Sequence, residues 1–320
     1  MAARIGIATG LVVVGDLLGK GAAKEEAVTG ETPNLAARLQ QAAAPGAVVI
    51  ANSTRRLVGD LFELAPLDSL QLKGFAEPVP AWRVIGEGRA ESRFEALHGA
   101  HVTPLVGRGE ELDLMLSRWR QAEGLAGQVV LILGEPGIGK SRLVLALRER
   151  LRVEPITVVS YTCSPHHLNS PLFPFISQLE RAARFAPDDT SEKRLKRLES
   201  LLCENGEELP GDALPLLADL LGIPNATPGA LPEMSPQQRK ALLFRTFLAL
   251  LDRLAARGPL LMVLEDAHWL DPTSRELFDQ IVDRLQRLPV LLVATFRPEL
   301  SAPWTGFPHV TLLTLNRLSQ

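Results

Sequence analysis

Residues 134–141 restrict the fold of this chain more than any other segment does. Their sequence, Gly-Glu-Pro-Gly-Ile-Gly-Lys-Ser, fits the pattern G-x-x-x-x-G-K-[ST]. The apolar run 129–133 precedes it and has the composition of a buried strand. The stretch 141–151 follows, with a cluster of apolar residues before a polar end, as in a helix. The sequence therefore predicts a strand, a glycine-rich loop and a helix in direct succession.

Such a loop has the chemistry of a phosphate-binding site. Its glycines let the backbone wrap around an anion with the N–H groups pointing inward, and the following helix adds its positive N-terminus. In this pattern Lys140 reaches the β- and γ-phosphates, and the Ser141 hydroxyl is offered to Mg²⁺. The predicted cofactors are ATP and Mg²⁺, held by Gly134, Glu135, Pro136, Gly137, Ile138, Gly139, Lys140, Ser141 and Arg142. A glycine turn without a ligand is the alternative.

A pair of carboxylates follows a second apolar run. Residues 260–264 are continuously apolar, as expected of a strand buried on both faces of a parallel sheet, and Glu265 and Asp266 come next. Ligands of open α/β sheets bind at this end of the strands. One carboxylate can hold Mg²⁺ and the other can orient or deprotonate a water. The alternative is an ordinary acidic loop.

A cation follows a third apolar run. Residues 290–295 have the composition of another buried strand, and Arg297 comes two residues later. An arginine at a strand end can contact a γ-phosphate. Taken alone, Arg297 fits a solvated surface charge better than a phosphate contact.

Together these segments resemble the signal-transduction ATPases with numerous domains, a branch of the AAA+-like P-loop proteins. The resemblance covers residues 104–320 and rests on the segments 105–112, 134–141, 265–272 and 294–298. It implies an ATP/ADP switch that hydrolyses slowly. The family pattern continues past Arg297 into a winged-helix region, whereas this sequence ends at Gln320, so we expect the C-terminal winged helix to be missing.

The resemblance also implies roles for individual residues. Glu265 takes the metal-side position together with Ser141, and Asp266 takes the water-activating position. Arg297 takes the sensor position. Val106 and Gly107, in the segment that opens the domain, would lie near the adenine.

The N-terminal part has a different pattern. Segments 4–10 and 11–16 predict a strand pair with a glycine turn between them. A helix is predicted to open near Pro33, where a missing N–H is tolerated. Asn34 and Arg38 are four residues apart and share one face of that helix. Such a face could grip a ribose and a triphosphate, although a capped surface helix has the same spacing.

Residues 4–86 resemble the C-terminal half of a class III adenylate or guanylate cyclase catalytic domain. The matching segments are 4–10, 34–39, 45–46, 72–75 and 78–79. The resemblance implies that Asn34 orients the ribose and that Arg38 stabilises the triphosphate. It also implies self-association, or pairing with a full-length homologue, through this part of the chain.

Three departures from the cyclase pattern count against activity. The two metal-binding aspartates and one base-selecting lysine of the family lie upstream of the matching segment, and two-metal catalysis requires its ligands. The second base-selecting position is Ala27, which has no group that distinguishes adenine from guanine. Glu31 and Pro33 replace the commoner aspartate and valine of the family. We therefore expect a cyclase remnant whose missing strands leave a sheet edge and an apolar face uncovered.

These segments predict an α/β protein with three parts. Residues 1–86 form a partial α+β cyclase domain of the ferredoxin-like type, residues 87–103 a linker, and residues 104–320 a P-loop ATPase with a parallel sheet. A helical insertion is expected at about 165–258, including a charged helix at 188–208 and a capped helix that starts at Ser235. The apolar stripe of the latter is expected to be core.

Composition indicates which binding partners and which cellular compartment to expect. A net charge of −3 gives no electrostatic reason to bind nucleic acid or acidic membranes. No run approaches the roughly 20 apolar residues of a membrane helix, so we expect a cytoplasmic protein without a membrane partner. Cys163 and Cys203 are expected to be buried thiols in a reducing compartment.

Three functions remain open at this point. The first is a Mg²⁺-dependent ATPase that forms ADP and phosphate. The second is a nucleotide cyclase that becomes active with a complete partner. The third is a non-catalytic regulator of transcription or signalling that binds ATP, although no segment resembles a helix-turn-helix.

Overall fold

The chain of the computed structural model divides into two units, residues 1–103 and residues 104–320. The structure describes residues 2–16, 26–88, 105–152, 156–186, 188–203, 211–224, 234–298 and 303–318. Of the predicted linker 87–103, only the first two residues lie within these ranges. Glu87 still belongs to a strand, so that strand runs one residue past the predicted boundary.

Within its described residues, the first unit contains short strands and two helices. The strands are β1 (Ile5–Ile7), β2 (Val13–Asp16), β3 (Glu26–Thr29), β4 (Val48–Ala51), β5 (Phe62–Pro66) and β6 (Ala81–Glu87). The helices are α1 (Glu31–Ala42), which begins two residues before Pro33, and α2 (Asn52–Val58). This α+β arrangement confirms the predicted class.

The strands of the first unit form two sheets. Four strands follow the order β1-β4-β6-β5, in which β1 pairs with β4 in parallel and the other pairs are antiparallel. Among the described strands, β2 pairs with β3 in a separate antiparallel sheet. The predicted pairing of segment 4–10 with segment 11–16 is therefore wrong, although both contain strands. Residue alternation identifies a strand but not its partner, and here both partners lie further along the chain.

Helix α1 packs directly on the sheet at Gly6. A Cβ atom on Gly6 would lie 2.3 Å from the carbonyl oxygen of Ala36 and 2.3 Å from the amide nitrogen of Gln40. The small core on this side contains Leu39, Ala43, Val49, Ala51, Leu72 and Ala81. The alternate residues of β1, Ile5 and Ile7, are exposed.

The second unit alternates strands and helices. Its strands are β7 (Gln128–Leu133), β8 (Thr157–Thr162), β9 (Leu260–Glu265), β10 (Val290–Phe296) and β11 (Val310–Thr314). Its helices are α3 (Gly109–Glu123), α4 (Lys140–Leu151), α5 (Phe173–Ala182), α6 (Ser191–Cys203), α7 (Ala213–Leu220), α8 (Pro236–Ala256) and α9 (Pro272–Arg284).

These strands form one parallel sheet in the order β11-β7-β10-β9-β8. Strands β9 and β10 are buried at every position, which explains their continuous apolar sequences. One face packs against α3 and α4, through Leu112, Met115, Trp119, Leu143 and Leu147. The other face packs against the remaining helices, through Phe175, Leu198, Leu216, Phe247 and Phe278. The predicted parallel α/β sheet is confirmed.

Helices α5 to α8 form the expected insertion between β8 and β9. The Ser235 hydroxyl accepts from the Gln238 N–H at 3.3 Å and the Gln238 side chain accepts from the Ser235 N–H at 2.9 Å, which confirms the predicted capping box. The predicted charged helix starts at Ser191 rather than at 188, and residues 204–208 lie outside the described residues. The apolar stripe of α8 lies in the core, as expected.

The two cysteines differ in their surroundings. Both are free thiols, Cys163 buried and Cys203 exposed at the last residue of α6. The expectation of two buried thiols is therefore wrong for Cys203, since the end of α6 places it at the surface. No helix in the part of the chain that the structure describes has both the length and the apolar composition to cross a membrane.

Candidate nucleotide-binding site

The glycine-rich loop joins the carboxyl end of β7 to the N-terminus of α4. Gly137 and Gly139 have φ angles of 77° and 104°, a region that residues with a Cβ rarely adopt. A Cβ atom on either glycine would meet nothing within 4 Å. Backbone conformation, rather than lack of space, therefore requires glycine at both positions.

The first glycine of the loop is required by close packing instead. A Cβ atom on Gly134 would lie 2.8 Å from the Ile138 side chain and 3.3 Å from Leu315. The Gly134 N–H donates to the carbonyl oxygen of Phe296 at 3.4 Å, so the loop begins in contact with the end of β10.

The Lys140 ammonium lies within the loop. Its Nζ donates to the carbonyl oxygens of Gly134 at 2.6 Å and of Glu135 at 2.9 Å, and the side chain is buried. Ser141 is half-buried in the first turn of α4. A cation and a hydroxyl thus stand side by side at a helix N-terminus, where anions are favoured. Arg142, by contrast, has an ion pair along its own helix with Glu149 at 3.5 Å.

The acidic pair lies at the same edge of the sheet. Glu265 is buried at the end of β9. Asp266 follows with a left-handed backbone, φ 54° and ψ 42°, and its N–H donates to the Thr295 hydroxyl at 2.9 Å. The Thr295 side chain was not among the predicted site residues. A polar residue near the end of the otherwise apolar strand β10 is the signal that marks it.

Arg297 follows β10 and faces the segment after the acidic pair. Its guanidinium carbon lies 5.8 Å from the centre of the Trp269 ring, within the range of a cation–π contact. Trp269 ends the 3₁₀ turn Ala267–Trp269 that follows Asp266. The guanidinium is therefore held beside the acidic segment rather than in bulk solvent.

A third carboxylate lies near this pair. Asp271 is buried and caps α9, where it accepts from the N–H groups of Thr273 at 3.0 Å and of Ser274 at 2.9 Å. Sequence reasoning did not single it out, although aspartate directly before Pro272 is the usual sign of a helix start.

The buried thiol of Cys163 lies among the three carboxylates of this part of the site. Cys163 follows β8, and its N–H donates to the carbonyl oxygen of Glu265 at 3.0 Å. Burial raises the pKa of the thiol, and the negative charges of Asp266, Asp271 and Glu265 raise it further. Three carboxylates therefore converge on the carboxyl ends of β8 and β9.

A cleft of about 510 Å³ lies between the start of α3 and the segment at the end of β11. It is lined by Gly107, Arg108, Gly109, Glu110, Glu111, Thr314, Asn316, Arg317 and Leu318. The Arg317 guanidinium forms an ion pair with Glu135 of the loop at 3.1 Å. Of the two residues expected near the adenine, Gly107 lines this cleft, whereas Val106 is 73% exposed and is not part of its lining.

Asn34 and Arg38 belong to the first unit. Both lie on α1, where Asn34 is exposed and Arg38 is half-buried. The Arg38 guanidinium donates to the Gln41 side chain at 2.9 Å. The structure thus gathers the glycine-rich loop, the acidic pair and Arg297 at one edge of the second unit's sheet, and keeps Asn34 and Arg38 on a helix of the first.

Comparison with known proteins agrees with this division. Residues 104–293, more than half of the chain, match the family model of the AAA ATPase domain. The chain belongs to the AAA ATPase domain family. Residues 1–86 of this AAA ATPase match the model of the adenylate and guanylate cyclase catalytic domain. The two matches together support a nucleotide-binding signalling protein.

One curated relative matches nearly the whole AAA ATPase chain. It is an uncharacterized protein of Rhizobium meliloti, 33% identical over 315 residues, which are 98% of this chain and 30% of the relative. The chain therefore spans less than a third of the length of that relative.

Three solved structures each match a share of the chain. The adenylyl cyclase CyaB of P. aeruginosa is 31% identical over 27% of this chain and 43% of its own, with a TM-score of 0.25. The guanylyl cyclase Cya2 is 34% identical over the same shares, 27% and 43%, with a TM-score of 0.25. PCH-2 of C. elegans is 13% identical over 68% of this chain and 45% of its own, with a TM-score of 0.35.

Proposed function

We propose that residues 104–320 bind ATP with Mg²⁺ and hydrolyse it slowly to ADP and phosphate, as a switch in signalling. The observation that carries this proposal is the glycine-rich loop itself. Gly137 and Gly139 have backbone angles suited to wrapping an anion, and the Lys140 ammonium is already held among the loop carbonyls. The slow, switch-like character rests on the resemblance to signal-transduction ATPases.

Each side chain has its own role in the in-line attack of water on the γ-phosphate. Lys140 neutralises charge on the β- and γ-phosphates, and Asp266 orients the attacking water. Arg297 contacts the γ-phosphate, so its position would differ between the ATP and ADP states. The Ser141 hydroxyl and the Glu265 carboxylate are oxygen ligands of the kind that Mg²⁺ prefers. When bound, Mg²⁺ neutralises developing phosphate charge.

The same cleft is the proposed place of the nucleoside. One of its lining residues, Arg317, forms an ion pair with Glu135 of the phosphate loop. Its volume of about 510 Å³ is in the usual range of small-molecule sites, roughly 300–1,000 Å³. Gly107 supports the proposal because it lines the cleft with a φ of 68° that favours glycine.

The test is a chromatogram of the products after the purified chain is incubated with Mg²⁺ and ATP. We expect ADP and phosphate, and no turnover with Lys140→Ala. That variant should bind ATP about 1.5–3 kcal/mol more weakly, the scale of a hydrogen bond to a charged group. Lys196→Ala is the matched control, because this lysine is exposed on α6. Equal ATP affinity of Lys140→Ala and the parent would reject the loop assignment.

A second candidate is cyclase activity with a complete partner chain, reached through self-association of the first unit or pairing with a full-length homologue. The match of residues 1–86 to the cyclase catalytic domain favours it, and so does the position of Asn34 and Arg38 one turn apart on α1. Mixed with a complete homologue, the chain should then form cyclic nucleotide and pyrophosphate. Arg38→Ala should abolish this product, whereas Arg56→Ala on the exposed side of α2 should not. Cyclic nucleotide that persists with Arg38→Ala would reject the candidate.

A further inference from the structure

The end of β10 lies between the two halves of the candidate site. On one side the Phe296 carbonyl oxygen accepts the Gly134 N–H of the phosphate loop at 3.4 Å. On the other side the Thr295 hydroxyl accepts the Asp266 N–H at 2.9 Å. Two consecutive residues of one buried strand therefore touch both the loop and the acidic pair.

The contact with Asp266 falls on a residue with an unusual backbone. Asp266 has φ 54° and ψ 42°, a left-handed conformation that is disfavoured for residues with a Cβ. Such conformations persist where the surroundings fix them. The Asp266 carbonyl oxygen accepts the Trp269 N–H at 2.9 Å, which restrains the carbonyl end of the residue. The Thr295 hydroxyl restrains its N–H end.

Thr295 is well suited to this task. Its side chain is only 2% exposed, and its strand is hydrogen-bonded on both edges, to β7 and to β9. A β-branched side chain has restricted χ1 rotation, so its hydroxyl keeps one direction. Without that acceptor, the Asp266 N–H would lose its partner and the left-handed turn would lose a restraint.

We propose that Thr295 is a positioning residue that fixes the Asp266 backbone, and with it the direction of the Asp266 carboxylate toward the attacking water. This inference rests on the proposed ATPase function, because only there does the direction of the carboxylate matter. Thr295 acts through Asp266 rather than through the nucleotide. Its loss therefore affects the rate of hydrolysis more than the binding of ATP.

Two substitutions at this position separate the hydroxyl from the bulk of the side chain. Thr295→Val keeps the shape and removes the acceptor, whereas Thr295→Ser keeps the acceptor. We expect Thr295→Val to lower kcat by about tenfold to hundredfold, the scale of a misplaced reacting group, with ATP Kd within about twofold of the parent. Thr295→Ser should retain kcat within about threefold, because serine keeps the hydroxyl that accepts the Asp266 N–H.

Thr246→Val is the matched control. Thr246 is as buried as Thr295, but its hydroxyl donates to the Leu242 carbonyl oxygen within α8 at 2.9 Å. This variant removes a buried hydroxyl without touching the acidic pair, so kcat should stay at the parental value. Melting curves of all variants report whether each chain is folded.

The outcomes distinguish this inference from the proposed function. If the parent hydrolyses ATP and Thr295→Val does so equally fast, the role of Thr295 is overturned while the ATPase stands. A variant that loses ATP affinity as strongly as kcat also overturns it, since that pattern indicates general damage to the site. A parent without hydrolysis overturns the proposed function and this role together.

A measurement on the parent covers the case in which Thr295→Val does not fold. Hydrogen exchange of the Asp266 amide should be slow, because that N–H is hydrogen-bonded to a buried side chain. Exchange at the rate of an unstructured peptide would show that the bond does not form, and would overturn the inference.

Discussion

The side chain of Asp271 accepts a hydrogen bond from the backbone N–H of Leu172, 99 residues earlier in the chain, at 3.3 Å. The same oxygen, Oδ1, accepts the N–H groups of Thr273 and Ser274, and Oδ2 accepts the Ser274 hydroxyl at 2.5 Å. Leu172 is the N-cap residue of α5 and Asp271 is that of α9. One buried carboxylate therefore joins the starts of two helices, just beyond the acidic pair.

We predict that Asp271→Ala lowers the free energy of unfolding by about 2–4 kcal/mol. Loss of an N-cap costs roughly 1 kcal/mol, and a buried donor left without an acceptor costs about 1–3 kcal/mol more. Asp271→Asn keeps an oxygen for the three N–H donors, so its effect should be less than half as large. Urea unfolding followed by circular dichroism measures both.

The control for this prediction is Asp113→Ala. Asp113 is exposed on α3, and its removal should change the stability by no more than about 0.5 kcal/mol. If Asp271→Ala were as mild as Asp113→Ala, the link between the two helix starts would contribute nothing to stability.

Gly127, just before β7, supports a second prediction. A Cβ atom there would lie 1.7 Å from the carbonyl oxygen of Leu285, so Gly127→Ala must move backbone. We expect a loss of about 1–3 kcal/mol or more, as for other overpacked sites, read from the urea midpoint. Gly109→Ala is the matched change, because a Cβ atom there meets nothing within 4 Å. A Gly127→Ala chain as stable as Gly109→Ala would contradict the close approach.

Local sequence predicts the strands that are buried on both faces. β9 and β10 are continuous apolar runs, and burial at every position is the reason. β8 is not predicted by the sequence, because threonine, serine and tyrosine flank its two adjacent valines and leave no continuous apolar run. Its place in the sheet comes from pairing with β9 over six residues, a contact between segments about a hundred residues apart that no local pattern contains.

The candidate site likewise contains residues that the sequence predicts and residues that it does not. The phosphate loop and the acidic pair are contiguous motifs, so their residue types and spacing are visible in the sequence. Thr295 and Asp271 are not visible in this way, because their partners Asp266 and Leu172 lie 29 and 99 residues away. The pairing of β1 with β4, which overturned the expected hairpin, has the same origin.

The two cysteines should differ in reactivity. The thiolate is the reactive form, and Cys203 is exposed whereas Cys163 is buried with a raised pKa. In the native state a thiol reagent should modify Cys203 alone, and in denaturant it should modify both. Mass spectrometry of the labelled chain checks this, with Cys203→Ser as the control that should remain unlabelled when native. Rapid native labelling of Cys203→Ser would show that Cys163 is accessible.

The raised pKa of Cys163 also predicts how stability depends on pH. Its causes are burial first and then the carboxylates of Asp266, Asp271 and Glu265. An unfolded thiol loses its proton above about pH 8.5, whereas the native thiol keeps it. Above that pH the unfolded chain binds fewer protons than the native chain, so the free energy of unfolding falls as pH rises. Below about pH 8.5 both states are protonated and this contribution to stability is fully present.

Between about pH 8.5 and pH 10, urea unfolding should show that the free energy of unfolding falls because of this thiol. The decrease should approach about 1.4 kcal/mol per pH unit. Burial also raises the pKa of Tyr161, but an unfolded tyrosine ionises only near pH 10, so its loss begins later. Cys163→Ser removes the titrating group and should flatten the slope in this window, whereas Cys203→Ser should leave it unchanged. A parental slope in Cys163→Ser would mean that another group controls stability here, and that the thiol beside the acidic pair ionises as readily in the folded chain as in the unfolded one.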